Sequence, residues 1–418
     1  MSDVGPTVDL LVVGGGASGL AAAVAGARLG LGVRVLERTD RCGHKLALTG
    51  GHKCNFTHAE GPRAMAARFD CDRSVLAPLL RRFPYQRITG FFEALGVKSR
   101  TDEQGCIWPA GPDGAGVRDR LLDGARRAGV EFLTRVRVRR VRPAPGGWCA
   151  ETDRGEWPGR SLLLATGGAS YPQTGSTGDG LGLCRELGLA VTDWFPALCS
   201  LRPARPVGHL AGNARPLVGM TLEVDGAAVR RAAGHFLFAH QYVTGSAILN
   251  LSGFAARALA EARRVALVVD WVPESDAGRL LRDIEERRSR GARRRLVNEL
   301  AGRLSRRFAV DFVGRCGIPV ERVMGELTRA ERDRVVGELK ATRFDIAGTE
   351  PLERATVTGG GVRLDEVDLG TGAAHRLPGL HVTGELLDTW AETGGYNLHF
   401  AWATGIAAAE AVAGKELK

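Results

Sequence analysis

A glycine-rich turn near the start of the chain constrains the possible folds more than any other feature. Gly14-Gly15-Gly16-Ala17-Ser18-Gly19 comes directly after an apolar, strand-forming run, Asp9-Leu10-Leu11-Val12-Val13, and directly before an alanine-rich helical stretch, Leu20 to Gly30. A second strand-like run, Val33-Arg34-Val35-Leu36-Glu37, ends in an acid. The three motif glycines have separate roles. Gly14 permits the tight turn, Gly16 lets backbone amides approach a diphosphate, and Gly19 lets the helix pack closely on the strand. The helix start offers free N–H groups and a positive dipole end to the phosphates. At the end of the second strand, the Glu37 carboxylate is placed to accept the two hydroxyls of an adenosine ribose and to repel a 2′-phosphate. Strand, turn, helix and acid in this order predict an α/β sheet that binds an adenine dinucleotide.

The 418 residues suffice for about two to three domains. Glycine is abundant, at 57, and clusters at residues 14–19, 43–51, 167–180, 359–361 and 394–405. Each cluster follows a short apolar run, where α/β sheets place their ligand loops. Residues 1–195 alternate strand and helix patterns. Residues 196–273 are strand-like, residues 274–341 read as Arg- and Glu-rich helices, and a strand pattern returns at Arg343-Phe344-Asp345-Ile346. This predicts an α/β domain split in sequence, 1–195 with 357–418. Inserted into it are a β-rich substrate or cap domain (196–273 with 342–356) and a small helical domain (274–341).

Hydrophobic residues at 44% and charged residues at 25% exclude a disordered or collagen-like chain. The net charge of +10 favours anionic ligands and keeps nucleic acid among the partners to test. Eight cysteines without a CxxC pair read as reduced thiols, with no disulfide framework and no metal site. The chain start has neither the basic segment of a signal peptide nor an apolar run long enough to span a membrane, so a cytoplasmic protein is expected. No HExxH, Walker loop or strand-borne GxSxG is present, which disfavours hydrolase and kinase chemistry.

The segment after Glu37 separates FAD from NAD. Arg38 to His58 is glycine-rich, basic and polar, whereas a nicotinamide dehydrogenase would usually proceed to another helix. Such a segment suits a loop running along the diphosphate and ribityl chain of an extended flavin dinucleotide, with Arg38, Lys45, Thr49, Gly50 and Asn55 as contacts. Gly359-Gly360-Gly361 has no helix pattern after it, so a second dinucleotide domain is absent. NADH or NADPH, if used as donor, would bind transiently over the flavin.

Three blocks then resemble a known family: Thr49-Gly50-Gly51-His52-Lys53-Cys54-Asn55-Phe56-Thr57, Leu164 to Gly180, and Gly384-Glu385-Leu386-Leu387-Asp388 through Gly394-Gly395-Tyr396-Asn397-Leu398-His399 to Gly405. With the nucleotide motif they make the chain similar to the HI0933-like, or YhiN-like, bacterial flavoproteins, whose relatives include an aminoacetone oxidase and a bile-acid-pathway flavoprotein. The resemblance implies a Rossmann-like FAD-binding domain of glutathione-reductase type and non-covalent FAD. The chain departs from the family at His52-Lys53, at Cys106-Ile107-Trp108-Pro109 and at Thr244-Gly245-Ser246, in loops that could shape a substrate pocket.

On this reading Gly14, Gly16, Ala17, Ser18, Gly19 and Glu37 hold the adenosine diphosphate, with Thr166 and Gly167 beside it. Gly384 and Glu385 meet the ribityl hydroxyls. Gly395, Tyr396 and Asn397 open a helix whose dipole stabilises negative charge on the flavin. Tyr396, His399 and His240 are the candidate catalytic residues, although His399 reads more readily as a hydrogen-bonded packing residue. The function expected is an FAD-dependent oxidoreductase moving a hydride between a small molecule and flavin N5, under a water-excluding cap formed by the inserted domains. The alternative is an RNA-binding or RNA-modifying flavoprotein, motivated by the net charge and by the arginines between Arg282 and Arg307.

Overall fold

In the computed structural model, which describes residues 5–417, the strand Val8–Val13 (β1) leads into the helix Ala17–Arg28 (α1) and the strand Val33–Glu37 (β2). Four further strands of the N-terminal part join them: Glu131–Thr134 (β3), Val138–Ala144 (β4), Gly147–Thr152 (β5) and Gly155–Leu164 (β6). A seventh, Leu380–Val382 (β7), comes from the far end of the chain. The sheet runs β3-β2-β1-β6-β5-β4, and β7 pairs with the C-terminal half of β6. The β3, β2, β1, β6 and β7 pairings are parallel, while β4, β5 and β6 form an antiparallel meander. The order places the ends of β1, β2 and β6 side by side, as a crossover fold with a ligand crevice requires.

The last helix, Tyr396–Ala413 (α2), is buried continuously from His399 to Glu410. A helix apolar on every side belongs in a core. It crosses α1 at small residues: a Cβ on Gly405 would lie 2.2 Å from the Ser18 carbonyl oxygen, so only glycine allows this approach. The first and last segments of the chain are thus neighbours, as a domain split in sequence requires.

The chain divides into two compact units: one runs to Phe195 and resumes at Leu352, and the other is Pro196–Pro351. The second unit contains a closed antiparallel barrel. Its strands, in spatial order, are Leu201–Pro203, Val243–Thr244, Ala227–Phe238, Ala214–Val224, Val265–Asp270 and Thr342–Thr349, and the last pairs back with the first.

Residues 274–341 depart from the expected separate helical domain, because their helices share the barrel's core. Trp271, from the end of a barrel strand, meets Phe308 of the helix Arg306–Arg315 at 4.7 Å between ring centroids. Its indole N–H donates to Thr342 Oγ1 at 2.7 Å. Amphipathic helices of this kind must bury their apolar stripe, and the barrel wall supplies the partner. The α/β unit resumes at Leu352, not at 357.

Candidate functional site

Within the first unit, the ends of β1, β2 and β6 border an open cleft. Gly14, Gly15, Gly16, Glu37, Arg38, Lys45 and Thr166 line it, with Val136, Arg137, Val138 and the run Thr174–Gly180 as further walls.

Two of the motif glycines are enforced by contact. Gly14 has φ +105°, and a Cβ there would lie 2.5 Å from the Ala165 carbonyl oxygen; one on Gly19 would lie 2.0 Å from the Gly14 carbonyl oxygen. Gly16 differs. Its nearest neighbour to a Cβ would be Ala165 O at 3.9 Å, so its bareness serves the space in front of it. Gly16 caps α1 with no side-chain acceptor, so the N–H groups of the first turn, beginning at Ala17, lack partners within the helix. Ser18 points elsewhere: a Cβ on Gly384 would touch its Oγ at 2.7 Å.

Glu37 is more engaged than the sequence predicts. Its Oε2 accepts from the Gly15 N–H at 2.9 Å, and its Oε1 accepts from the Thr39 N–H at 2.8 Å with the Thr39 hydroxyl at the same distance. A carboxylate has about four acceptor positions. The capacity left lies on Oε2, enough for one ribose hydroxyl rather than two. The opposite wall is held by Asp179, which receives Arg38 at 3.2 Å and Arg137 at 2.9 Å. Thr166 Oγ1 is buried beside the cleft with no partner, and Gly167 turns away with φ +71°.

Lys45 and Glu385, both expected as cofactor contacts, bind each other. Lys45 Nζ donates to Glu385 Oε2 at 2.8 Å, to Oε1 at 3.0 Å and to Ser170 Oγ at 2.7 Å, which occupies all three of its N–H groups. Glu385 Oε1 also accepts from the Thr358 N–H at 2.8 Å. The pair therefore ties four segments around the cleft instead of leaving two free side chains.

Outside the cleft lining, Gly394 and Gly395 adopt φ +129° and +92°, and Gly395 caps α2. A Cβ on Gly395 would lie 2.6 Å from Asn55 Oδ1 and 2.8 Å from Thr57 O. Asn55 Oδ1 is itself buried without a partner. The loop before it holds Gly50, Gly51, His52 and Cys54 at positive φ. Two non-glycine residues in that region mark a loop kept in a strained shape by its surroundings. Thr49 ends a short helical turn, and its hydroxyl donates to Leu46 O.

The Asn397 side-chain amide accepts from Ala391 N and donates to Ala391 O, both at 2.9 Å. Tyr396 is only 3% exposed and stacks on His58 at 5.0 Å between centroids. Burial raises its phenol above the usual range, so it stays protonated. His240 lies in the second unit, exposed in the bend after the strand Ala227–Phe238.

His399 is fully buried. Its Nε2 donates to Phe83 O at 2.9 Å, and its Nδ1 accepts from the Thr57 hydroxyl at 2.6 Å. Both ring nitrogens are thus hydrogen-bonded within the core, the arrangement of a packing residue. Desolvation lowers its pKa from 6.5 to about 4. The unfolded chain then binds the proton more readily, so stability falls as pH drops from about 6.5 towards 4, by about 3 kcal/mol over the window. Urea unfolding at a series of pH values should show this slope in the native sequence and a loss of it in His399→Gln.

The sequence reading passed over His58. It is buried, and its Nδ1 lacks a hydrogen-bond partner while facing Glu60 Oε1 across 3.9 Å. Glu60 in turn accepts from Arg68 at 2.6 Å. Neither cysteine beside these loops is a nucleophile, since burial pushes the Cys42 and Cys54 thiols up to about 12. Among the described residues no group of His, Cys, Asp and Glu could hold a metal ion, and no helix is long and apolar enough to cross a membrane.

A family model described as HI0933-like protein Rossmann domain matches residues 8–411. A 3-dehydro-bile acid delta(4,6)-reductase of Clostridium scindens is 28% identical over 404 residues, 96% of this chain and 98% of the relative. A ribosomal RNA dihydrouridine synthase of Escherichia coli is 26% identical over 415 residues, 96% of this chain and 97% of the relative. Among solved structures, a 3-ketosteroid-delta4-(5alpha)-dehydrogenase from Rhodococcus jostii shares the fold at TM-score 0.53 and 16% identity, with 97% of this chain and 98% of that chain covered. A 3-ketosteroid delta1-dehydrogenase from Sterolibacterium denitrificans does so at 0.53 and 14%, with 98% and 99% covered.

Proposed function

From the premise that this chain belongs to the HI0933-like protein Rossmann-domain family, we propose that it is an FAD-dependent oxidoreductase that reduces a carbon–carbon double bond conjugated to a carbonyl group. The observation that carries the reading is the cleft itself. Gly16 leaves open space before the free N–H groups of α1, Glu37 is fixed by the Gly15 N–H, and Thr166 Oγ1 is a buried polar atom without a partner; outside the cleft lining, Asn55 Oδ1 is another. These residues fit an extended dinucleotide: α1 for the diphosphate, Glu37 for the adenosine ribose, and the start of α2 for the ring end.

When bound, FAD supplies a two-electron carrier that gives or takes a hydride. The named activities of the two relatives support the choice of bond. One removes unsaturation from a keto-bearing bile acid, and the other saturates the uracil ring of RNA. Both double bonds are conjugated to a carbonyl, so a hydride delivered to the far carbon is stabilised by the oxygen. The reaction then needs a proton. His58, with Nδ1 turned to Glu60 and its ring against Tyr396, is the residue assigned to hold it. A uracil-containing RNA is the second reading of the substrate, favoured by the likeness to a ribosomal RNA dihydrouridine synthase over 96% of this chain.

Anaerobic titration of the flavin-loaded protein with NADH or NADPH should bleach the absorbance at about 450 nm. Anaerobic addition of 2-cyclohexen-1-one, or of a uridine-rich RNA, should restore it, while saturated cyclohexanone should not. A bleached protein that only oxygen restores would overturn the proposal.

A further inference from the structure

The arginine-rich stretch of the second unit divides into two classes. Several of its guanidinium groups have a carboxylate of their own: Arg288 pairs with Glu285 at 2.7 Å, Arg290 with Glu286 at 2.7 Å and Arg303 with Asp283 at 3.1 Å. These pairs are what an ordinary solvated helix face provides.

One place breaks the pattern. Arg287, from the helix Ala277–Arg290, and Arg294, from the following loop, both converge on the single carboxylate of Glu299. Arg306, at the start of the next long helix, reaches the neighbouring residue, its Nη1 donating to Asn298 Oδ1 at 3.1 Å. Arg293 and Arg295 flank them, exposed and without a carboxylate partner among the described residues. Two arginines from two segments thus share one acid, a third holds the residue beside it, and two more exposed arginines adjoin Arg294 in sequence. Glu299 is only 11% exposed, whereas Arg287 and Arg294 are 49% and 57% exposed, so the acid lies beneath and the guanidinium groups outside.

We propose that this cluster is a docking site for the phosphodiester backbone of RNA; the assignment of RNA, rather than another polyanion, rests on the second reading of the substrate above. Arginine suits such a site because its planar fork matches phosphate oxygens in pairs, and here Glu299 and Asn298 hold part of the fork in place before any ligand arrives. The guanidinium groups of Arg287, Arg293, Arg294 and Arg295 are exposed on more than one segment, as contact with successive phosphates of a strand requires. The stretch from Arg282 to Arg307 contains no aromatic residue, so the site would grip the backbone without stacking on bases. A membrane surface is disfavoured, because Val310 is the one large exposed apolar side chain on these helices among the described residues.

The experiment uses the flavin-loaded protein and a fluorescein-labelled, uridine-rich single-stranded RNA, with anisotropy read across a series of salt concentrations. Binding should weaken steeply with salt, with a log–log slope of about −0.7 for each phosphate neutralised. The triple variant Arg287→Gln, Arg294→Gln, Arg306→Gln should bind about tenfold more weakly or worse and lose about two from the slope. The double variant Arg293→Gln, Arg295→Gln removes no internal contact, so it should fold normally and lose affinity to a lesser degree. A control with equal charge loss elsewhere, Arg185→Gln, Arg363→Gln, Arg376→Gln, should bind as the unaltered chain does. Absence of RNA binding, or equal weakening in the control, would overturn the proposal. Retained RNA binding by a preparation that takes up no flavin would contradict the cofactor reading and leave this one standing.

Discussion

Gly16→Ala should give a folded protein that has lost its cofactor. The residue sits at φ −80°, which alanine adopts freely, and an added Cβ would meet nothing within the protein closer than 3.9 Å. The methyl group would instead enter the cleft, at the point where a diphosphate must approach the backbone. FAD affinity should fall by about 100-fold or more, equivalent to about 2.7 kcal/mol, with the urea midpoint of the flavin-free protein unchanged. Gly14→Ala and Gly19→Ala should behave differently. Their methyl groups would run into backbone at 2.5 Å and 2.0 Å, so both colour and stability should be lost. Equilibrium dialysis with FAD alongside urea denaturation separates the two kinds of glycine. Wild-type flavin affinity in Gly16→Ala would show that the cleft does not hold the diphosphate.

The second large effect concerns what fixes the far end of α2. Glu410 is buried, with its side chain 1% exposed. It receives Arg82 at 2.5 Å, Arg87 at 2.6 Å and the Leu417 N–H at 2.7 Å. Removing one partner of a buried ion pair costs about 3–5 kcal/mol because the remaining charge is left unpaired. Both arginines keep some solvent contact, which places Glu410→Ala at about 3 kcal/mol. Urea denaturation of the flavin-free protein should show that loss. A change below about 0.5 kcal/mol, the level of an ordinary surface substitution, would mean that the trio does not anchor the helix.

The parts of the fold legible in the sequence were those whose physics is local. Residues 8–37 carry strand, turn, helix and acid within one short run, and each is dictated by its neighbours. The interruption of the α/β unit after residue 195 shows as a change of periodicity. The helices after residue 274 show an apolar stripe that demands a partner, but periodicity does not say which one, so their union with the barrel core could not be read.

Side-chain pairing was least legible. Lys45 and Glu385 are 340 residues apart, and nothing in either segment marks the other. Asn397 is consumed by Ala391 through the geometry of one loop. His58 closes the polar segment after Glu37, yet its buried, unpartnered nitrogen becomes visible only once Glu60 and Tyr396 are placed around it. The double glycine before α2 was the one signal in that region with a local cause, since both residues require positive φ.

A competition for the cleft tests the cofactor assignment most directly. Flavin-free protein should take up one FAD per chain, ADP should displace it, and FMN, which lacks the adenosine half proposed to lie at Glu37 and Gly16, should bind far more weakly. FMN binding as tight as FAD, or FAD uptake indifferent to ADP, would contradict it.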